Sequence, residues 1–502
     1  MLNIKIINII GIILVFLGIS MIPSSIWSIA YADSYNLNDK EFFDFIAILK
    51  SSLITFVSGL FFYLSTIYYR NKNNVELRAR DGFVIVTAGW IMMSLYSSLP
   101  FYLSNAQLSF TNSFFESISG LTTTGASILG SSIGNTPNIE DLTKGLLFWR
   151  SFTHFIGGMG IIVFSIAILP LLGVGGVQLF RAEVAGPVAE KITPRVKQTA
   201  KLLWGIYVGF VLFQTLILKF EGMTWHESFC HSFGTMATGG FSTRNDSIAA
   251  FNSPLIEYTI IFFMFIAATS FSLHYLFLGK KKFEYFKDEE FKLYLYVILF
   301  FTLLIFLDVN FNGGYKWSVE SFNNSIFMSV SLLTTTGFGT ADFETFPALS
   351  KISAFFLFFI GGSAGSTTGA LKLVRSLLVF KYLSYEFKKM IHPKGIYSIK
   401  IGEKVIPDNV VKNTLGFYLI YIFIFVIATF IFAFYGIDPI TSLTASASSI
   451  GNIGPGLGSI GPYDNWGHFP NGAKWLAGFC MLLGRLEIFT VMILFTKSFW
   501  RV

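Results

Sequence analysis

Four times along this chain, a run apolar and long enough to cross a bilayer is followed by a shorter segment that is not. A polar loop containing glycine and a second long run then follow. The loops read LTTTGAS (Leu121 to Ser127), MATGGFS (Met236 to Ser242), LTTTGFGT (Leu333 to Thr340) and SIGNIGPG (Ser449 to Gly456). Setting Gly125, Gly239, Gly337 and Gly454 in register gives spacings of 114, 98 and 117 residues, so one unit occurs four times. The short segments, of about 10 to 15 residues, cannot span hydrocarbon and read as re-entrant half-helices. Two full crossings per unit return the chain to its starting side, so the four units share one orientation and can surround an axis along the membrane normal. Inverted repeats would need an odd number of crossings. Four equivalent loops on one axis make the geometry of a pore.

The rest of the chain agrees with residence in a bilayer. Of 502 residues, 53% are hydrophobic and 13% charged, and no polar stretch is left for a soluble catalytic or nucleotide-binding domain of ordinary size. Windows of about 20 apolar residues predict ten spans. They lie near residues 4–30, 45–69, 83–103, 146–172, 201–220, 254–279, 290–309, 349–386 (interrupted), 411–435 and 473–496. The first is read as an uncleaved span because its apolar part exceeds a usual signal-peptide core. The expected organisation is an N-terminal helix pair (1–80) and pore repeats at 81–198, 199–288, 289–405 and 406–502. The net charge of +7 divides by side. Arg70, Lys72, Arg78 and Arg80, then Arg181, Lys191, Arg195 and Lys197, then Lys280, Lys281, Lys282 and Lys287, then Lys381, Lys388, Lys389, Lys394, Lys400 and Lys404 follow spans two, four, six and eight. Lys497 and Arg501 close the chain. Asp33, Asp39, Glu41, Glu140, Asp141, Asp342, Glu344 and Asp464 lie on the other side, which puts both termini in the cytoplasm.

Irregular backbone survives at membrane depth only where protein or a water-filled cavity satisfies it. Each loop follows the C-terminal end of its half-helix, where the macrodipole favours a cation. The expected filter comprises Thr123, Thr124, Gly125 and Ala126; Thr238, Gly239 and Gly240; Thr335, Thr336, Gly337 and Phe338; and Asn452, Ile453 and Gly454. A monovalent cation is expected at Thr124, Gly125, Thr238, Gly239, Thr336, Gly337, Ile453 and Gly454. Carbonyls would replace part of its hydration shell and the hydroxyls of Thr124, Thr238 and Thr336 would add oxygens at the rim. Matched carboxylates are missing from the loops, which argues against a filter for divalent ions. Four acids near the half-helix starts, Glu116, Glu227, Glu320 and Asp438, sit at unequal distances from the filter glycines. Ser113 with Glu116 and Thr224 with Glu227 fit capping boxes, and Asp438 before Pro439 fits an N-cap.

Two further features interrupt apolar spans. Gly361 to Gly369 reads GGSAGSTTG, which suits either a close helix-packing face or an unwound stretch lining a cavity. Arg485 is central in the last span, where a charge costs about 2.5 to 3.5 kcal/mol. Glu487 lies on another helix face and is a poor partner within the helix. Gly456 to Gly461 matches G-x-G-x-x-G but follows no strand, and the P-loop pattern is absent, so a nucleotide site in this chain is not expected. Cys230 and Cys480 are too far apart in sequence to form a CxxC metal site, and the six histidines, His154 among them, lack metal-ligand spacing.

The stretches FWRSFTHFIGGMGIIV (Phe148 to Val163), LGVGGVQLFRAE (Leu172 to Glu183), TAKLLWGIY (Thr199 to Tyr207), MATGGFST, GGSAGSTTGALKLVR (Gly361 to Arg375), NIGPGLGSIGPYDNW (Asn452 to Trp466) and MLLGRLEIFT (Met481 to Thr490) together resemble the TrkH family. These are the membrane subunits of Trk-type potassium uptake, within the Trk/Ktr/HKT superfamily. The resemblance runs from about residue 83 to the last residues. Ala370 stands where that family usually has a second Gly, and Gly451 where Asn is common. The resemblance implies an all-α integral membrane protein with four pore-loop repeats plus an N-terminal pair, and K⁺ uptake across a bacterial inner membrane. It also implies a homodimer embedded in lipid, and a cytoplasmic nucleotide-binding ring like TrkA as regulator. No cofactor in this chain and no nucleic-acid partner are expected. It favours an intramembrane gate built from Gly361, Gly362, Gly365, Thr367, Thr368, Gly369 and Lys372, latched by Arg485. A proton- or sodium-coupled symporter on the same scaffold stays open, though titratable intramembrane residues for a relay are sparse. A membrane enzyme acting on lipid would need clustered acids or histidines near one face, and none cluster in the sequence.

Overall fold

A peptide group in hydrocarbon must find its hydrogen bond within its own segment, and the long apolar runs accordingly fold as helices. The computed structural model of the chain describes residues 4–72, 79–130, 136–167, 192–280, 283–314, 317–402 and 404–501. The motif Leu172 to Glu183 and the cations Arg78, Arg181, Lys191, Lys281 and Lys282 lie outside the described residues.

Among the described residues six helices are long and apolar enough to cross a membrane: Ile4–Ala30, Lys40–Thr66, Arg80–Leu103, Ala200–Phe220, Glu289–Asn312 and Asp408–Phe434. Helix Lys144–Ala167 and the interrupted pair Ala348–Leu357 and Leu373–Ile391 occupy the places of spans four and eight. The remaining two expected spans are broken rather than continuous. Pro254–Ala267 meets Phe271–Gly279 at 97°, and Asn471–Arg485 meets Phe489–Phe495 at 109°. The first break is accommodated because the Gly361–Gly369 stretch supplies missing partners: Ser363 N–H donates to Ala268 at 2.9 Å and Phe271 N–H donates to Gly365 at 3.1 Å. At the second, Glu487 and Ile488 take left-handed backbone (φ 59° and 36°). Glu487 leaves the helix axis to pair with Arg375, whose guanidinium also lies 4.0 Å from the Phe417 ring centroid.

Four half-helices, Phe110–Leu121, Trp225–Met236, Val319–Leu333 and Pro439–Gly451, fill the re-entrant positions. Each N-terminus is capped by an oxygen side chain: Ser109, Thr224, Ser318 and Asp438. The capping box of Thr224 and Glu227 is present, as is the Asp438 cap followed by Pro439. The box expected at Ser113 and Glu116 is not. That helix starts one turn earlier, at Ser109, and Glu116 is fully buried in a different role.

The leading pair packs through small residues. Gly11, Gly18 and Gly59 let helices Ile4–Ser20 and Lys40–Lys72 approach until their backbones touch, and a Cβ on Gly11 would lie 2.7 Å from the Tyr63 nitrogen. Large apolar residues such as Phe61, Phe300, Phe430 and Phe434 face outward, the surface expected against lipid. The β-structure among the described residues is a two-residue antiparallel pair, Lys400–Ile401 with Lys404–Val405, following Leu373–Ile391.

Candidate functional site

Each half-helix ends in the same way. The residue after its last turn is left-handed: Thr123, Thr238, Thr335 and Asn452 have φ of 51°, 54°, 54° and 54°. The next N–H reaches back five residues, from Thr124 to Ser119 (2.9 Å), Gly239 to Gly234 (2.8 Å), Thr336 to Ser331 (2.9 Å) and Ile453 to Ser448 (3.1 Å). This is a Schellman termination, usually made by glycine and here made by Thr and Asn. Two residues beyond the left-handed position comes a glycine with positive φ: Gly125 (80°), Gly240 (77°), Gly337 (80°) and Gly454 (101°).

The equivalence corrects the sequence register of the second loop by one residue. Gly240, and not Gly239, matches Gly125, Gly337 and Gly454, and Thr238 matches Thr123 rather than Thr124. Loop two has adjacent glycines, and only the tertiary fold decides which one takes the turn. Gly239 is required for another reason: a Cβ there would meet the His154 ring at 2.6 Å.

The four loops then close on one another. The Cα of Gly125 lies against the carbonyl oxygen of Gly239, Gly240 against that of Thr336, Gly337 against that of Ile453, and Gly454 against that of Thr124. A Cβ at any of them would collide with that oxygen, in addition to the cost of positive φ. Each contact runs from one repeat to the next, and the fourth returns to the first. All four glycines line an outer cavity of about 340 Å³, with Arg150, Asp246 and Asp464 also in its wall.

Of the expected filter residues, Ala126 lines this cavity although it is almost fully buried, and Phe338 is buried. The hydroxyls of Thr124 and Thr336 are not left open at a rim: they bond sideways to Thr122 and Thr334, each at 2.8 Å. Asn452 Nδ2 donates to Thr124 Oγ1 at 3.0 Å and to the Met481 carbonyl at 2.8 Å, joining repeat four to repeat one.

A buried scaffold, unread in the sequence, fixes the loops from outside. Glu116 accepts from Arg150 Nε (2.6 Å), Ser127 Oγ (2.9 Å) and Ile128 N–H (3.0 Å). Arg150 in turn donates to the Ser242 carbonyl at 2.8 Å and lies 3.6 Å from the Phe241 ring centroid. His154 contacts the Gly120 carbonyl through Nδ1 (2.8 Å), and its Nε2 accepts from Phe241 N–H (3.2 Å). This pattern requires the Nδ1–H tautomer. Trp466 donates from its indole to the Gly454 carbonyl at 3.2 Å. The available signal was the polar trio Arg150, His154 and Glu116 within otherwise apolar helices, since such residues need buried partners.

On the other side of the ring of loops lies the Gly361–Gly369 stretch. Gly361 N–H donates to Leu371 (2.9 Å) and Leu371 N–H to Phe359 (3.2 Å), so the loop closes on itself. Its far end touches three half-helix termini: Thr367 Oγ1 donates to the Met236 carbonyl (3.1 Å), Gly369 N–H to Thr335 Oγ1 (2.8 Å) and Ala370 N–H to the Gly451 carbonyl (2.9 Å). Ala370 is left-handed (φ 51°), at the position where the resembled family usually carries Gly. Arg485 Nη1 donates to Thr367 O (2.7 Å) and Nη2 to Gly157 O (3.1 Å). Lys372 Nζ donates to the carbonyl of Thr368 and, at 2.9 Å, to its hydroxyl. Glu290, absent from the sequence reading, accepts from Ala364 N–H (2.7 Å) and Val374 N–H (2.9 Å), tying the loop to the start of helix Leu373–Ile391 with one oxygen. Among the described residues no group of His, Cys, Asp and Glu could hold a metal ion through side chains.

Residues 49–501 match the family model TrkH, described as a cation transport protein. The chain is 37% identical over 502 residues to the Trk system potassium uptake protein TrkH of Vibrio parahaemolyticus serotype O3:K6 (strain RIMD 2210633), covering 99% of each chain. It is 36% identical over 497 residues to TrkH of Escherichia coli (strain K12), covering 98% of each. It is 33% identical over 458 residues to TrkG of the same strain, covering 90% of this chain and 92% of TrkG. The crystal structure of the potassium transporter TrkH from Vibrio parahaemolyticus superposes with a TM-score of 0.88 at 34% identity, covering 100% of both chains.

Proposed function

Because this chain belongs to the TrkH family of cation transport proteins and is a multi-pass membrane protein, we propose that it takes up K⁺ through a gated, channel-like pore. The observation that carries this reading is the closed ring of four glycine-to-carbonyl contacts between consecutive loops. Backbone carbonyls at Thr124, Gly239, Thr336 and Ile453 replace part of the ion's hydration shell, next to the glycines at 125, 240, 337 and 454. Four half-helix C-termini facing the ring add negative potential without a carboxylate that would trap a divalent ion. With one glycine turn per loop the carbonyl ladder is short, so exclusion of Na⁺ is incomplete.

The Gly361–Gly369 loop acts as the gate, held under the filter by Arg485, Lys372 and Glu290. Membrane potential drives entry at about 2.3 kcal/mol per charge per 100 mV. The division at residues 80, 198, 288 and 405 separates the helix pair from the four repeats. The charge asymmetry supports a bacterial inner-membrane location with both termini cytoplasmic. The Trk system names of the relatives support partnership with further Trk components; in this reading the chain works as a homodimer regulated by a cytoplasmic TrkA-like nucleotide-binding ring.

The test is K⁺ flux in proteoliposomes at zero proton and sodium gradients. Current that follows the K⁺ gradient is the expected result; K⁺ movement that requires a proton or sodium gradient would replace the channel with a symporter. Rescue of growth on low K⁺, with and without the cytoplasmic partner, tests the cellular role.

A further inference from the structure

The four residues that end the half-helices share one backbone position, yet their side chains meet different partners. Repeats one and three even share the sequence Thr-Thr-Thr-Gly. In both, the first and third hydroxyls bond each other at 2.8 Å. The middle hydroxyls differ. Thr123 Oγ1 is buried with no partner among the described residues, and Thr238 Oγ1 donates to the carbonyl of its own neighbour Ala237 at 2.7 Å. Thr335 Oγ1 instead accepts the N–H of Gly369, at 2.8 Å. The following residue, Ala370, donates to Gly451, which precedes Asn452 in the fourth loop. The Gly361–Gly369 stretch is therefore fastened to the half-helix ends of repeats two, three and four, only at repeat three through the side chain of the left-handed residue, and is left unfastened at Thr123.

We infer that Thr335 is a specificity-determining positioning residue shared by filter and gate: while Gly369 holds its hydroxyl, the filter keeps one geometry, and release of the loop changes ion selectivity together with conductance. The inference rests on reading the loop as a gate. Its physical basis is that a left-handed Thr has its backbone fixed by the Schellman bond, leaving the side-chain rotamer as the free variable. The N–H of Gly369 selects the rotamer that turns the oxygen toward the loop. When that donor leaves, the rotamer is no longer selected, and the Thr336 carbonyl that follows it loses a fixed neighbour. Linkage then makes the coupling reciprocal: the ion that binds better with the hydroxyl released favours the released loop.

The experiment compares Thr335→Ala, Thr335→Ser and Thr123→Ala in the reconstituted full-length chain, measuring basal K⁺ flux and the K⁺/Na⁺ permeability ratio. Thr335→Ala is expected to exceed Thr123→Ala in basal flux about fivefold, the effect of one ordinary hydrogen bond. Its K⁺/Na⁺ ratio falls with the rise in flux, and Thr335→Ser, which keeps the acceptor, restores both. Equal basal flux in the two Ala variants overturns the inference, as does raised flux at an unchanged ion ratio. If Thr335→Ala does not assemble, Thr335→Val, which keeps the branched shape but offers no acceptor, takes its place with the same expected and overturning outcomes. A wild-type chain that passes no K⁺ down its gradient would instead sink the pore reading, so the two failures are distinguishable.

Discussion

The guanidinium of Arg485 donates to the carbonyl oxygen of Thr367 at 2.7 Å, and so fastens the last membrane helix to the Gly361–Gly369 loop. The second donor reaches Gly157, whose Cα packs against the carbonyl of Leu121 at the end of the first half-helix. A single buried cation thus bridges the loop and the first repeat, in a region where an unpaired charge would be costly.

Replacing it by a neutral side chain of similar reach loosens the loop. Arg485→Gln is expected to raise basal K⁺ flux about tenfold, because hydrogen bonds from a charged donor contribute more than neutral ones. Tracer uptake into proteoliposomes measures it; an inserted, folded and fully inactive Arg485→Gln protein would count against the latch.

Glu290 grips the loop from the opposite side, at Ala364 and Val374. Glu290→Ala leaves two buried N–H groups without their acceptor, a cost of about 1 to 3 kcal/mol each. Lower thermal stability in detergent and raised basal flux follow, whereas Glu290→Gln retains an acceptor oxygen and shows smaller changes. Identical behaviour of the Ala and Gln variants would show that the hydrogen bonds are not what Glu290 contributes.

The register of the second loop makes its own prediction. Gly240→Ser places a side chain on the Thr336 carbonyl, and Gly337→Ser does the same to Ile453. Both are expected to lower the K⁺/Na⁺ permeability ratio by about tenfold, as are Gly125→Ser and Gly454→Ser. Reversal potentials under bi-ionic conditions report the ratio, and unchanged values in all four variants would remove the filter assignment.

Behind the ring of loops, Arg150 and Glu116 form a buried pair. Arg150→Ala strands the carboxylate and is expected to cost about 3 to 5 kcal/mol. The double variant Glu116→Gln with Arg150→Met recovers part of that loss. Denaturation followed by fluorescence-detected size exclusion compares the three proteins, and a double variant no better than Arg150→Ala would assign the role to Arg150 alone.

External pH acts on the outer cavity through Asp464. Partial desolvation of this otherwise exposed carboxylate, reinforced by the charge of Asp342, holds it above the ordinary carboxylate range. A raised value means the group loses its negative charge at higher pH than a free carboxylate does. Inward cation flux is therefore expected to start falling, as the external medium is acidified, at a higher pH than a free carboxylate would give, and Asp464→Asn flattens that profile while lowering flux at pH 7. Matching pH profiles for wild type and Asp464→Asn would exclude this carboxylate as the sensor.

Much of the architecture was legible in the sequence because hydrocarbon leaves the backbone few choices. Apolar length dictated helices, segments too short to cross dictated half-helices, and even crossings dictated parallel repeats with glycine at four loops. The glycine cluster at 361–369 and the isolated Arg485 declared themselves by their cost in an apolar run. Tertiary structure alone decided what depends on neighbours distant in sequence. Gly239 and Gly240 are interchangeable by local criteria, and only the Thr336 carbonyl from the next repeat selects Gly240 for the turn. Spans six and ten read as continuous helices, since the partners that stabilise the first break come from residues 363 and 365 and the pairing of Glu487 at the second comes from Arg375. The Thr-Thr-Thr-Gly loops of repeats one and three are identical as local sequence. What separates Thr123 from Thr335 is one N–H arriving from Gly369, a difference of surroundings that no local pattern encodes.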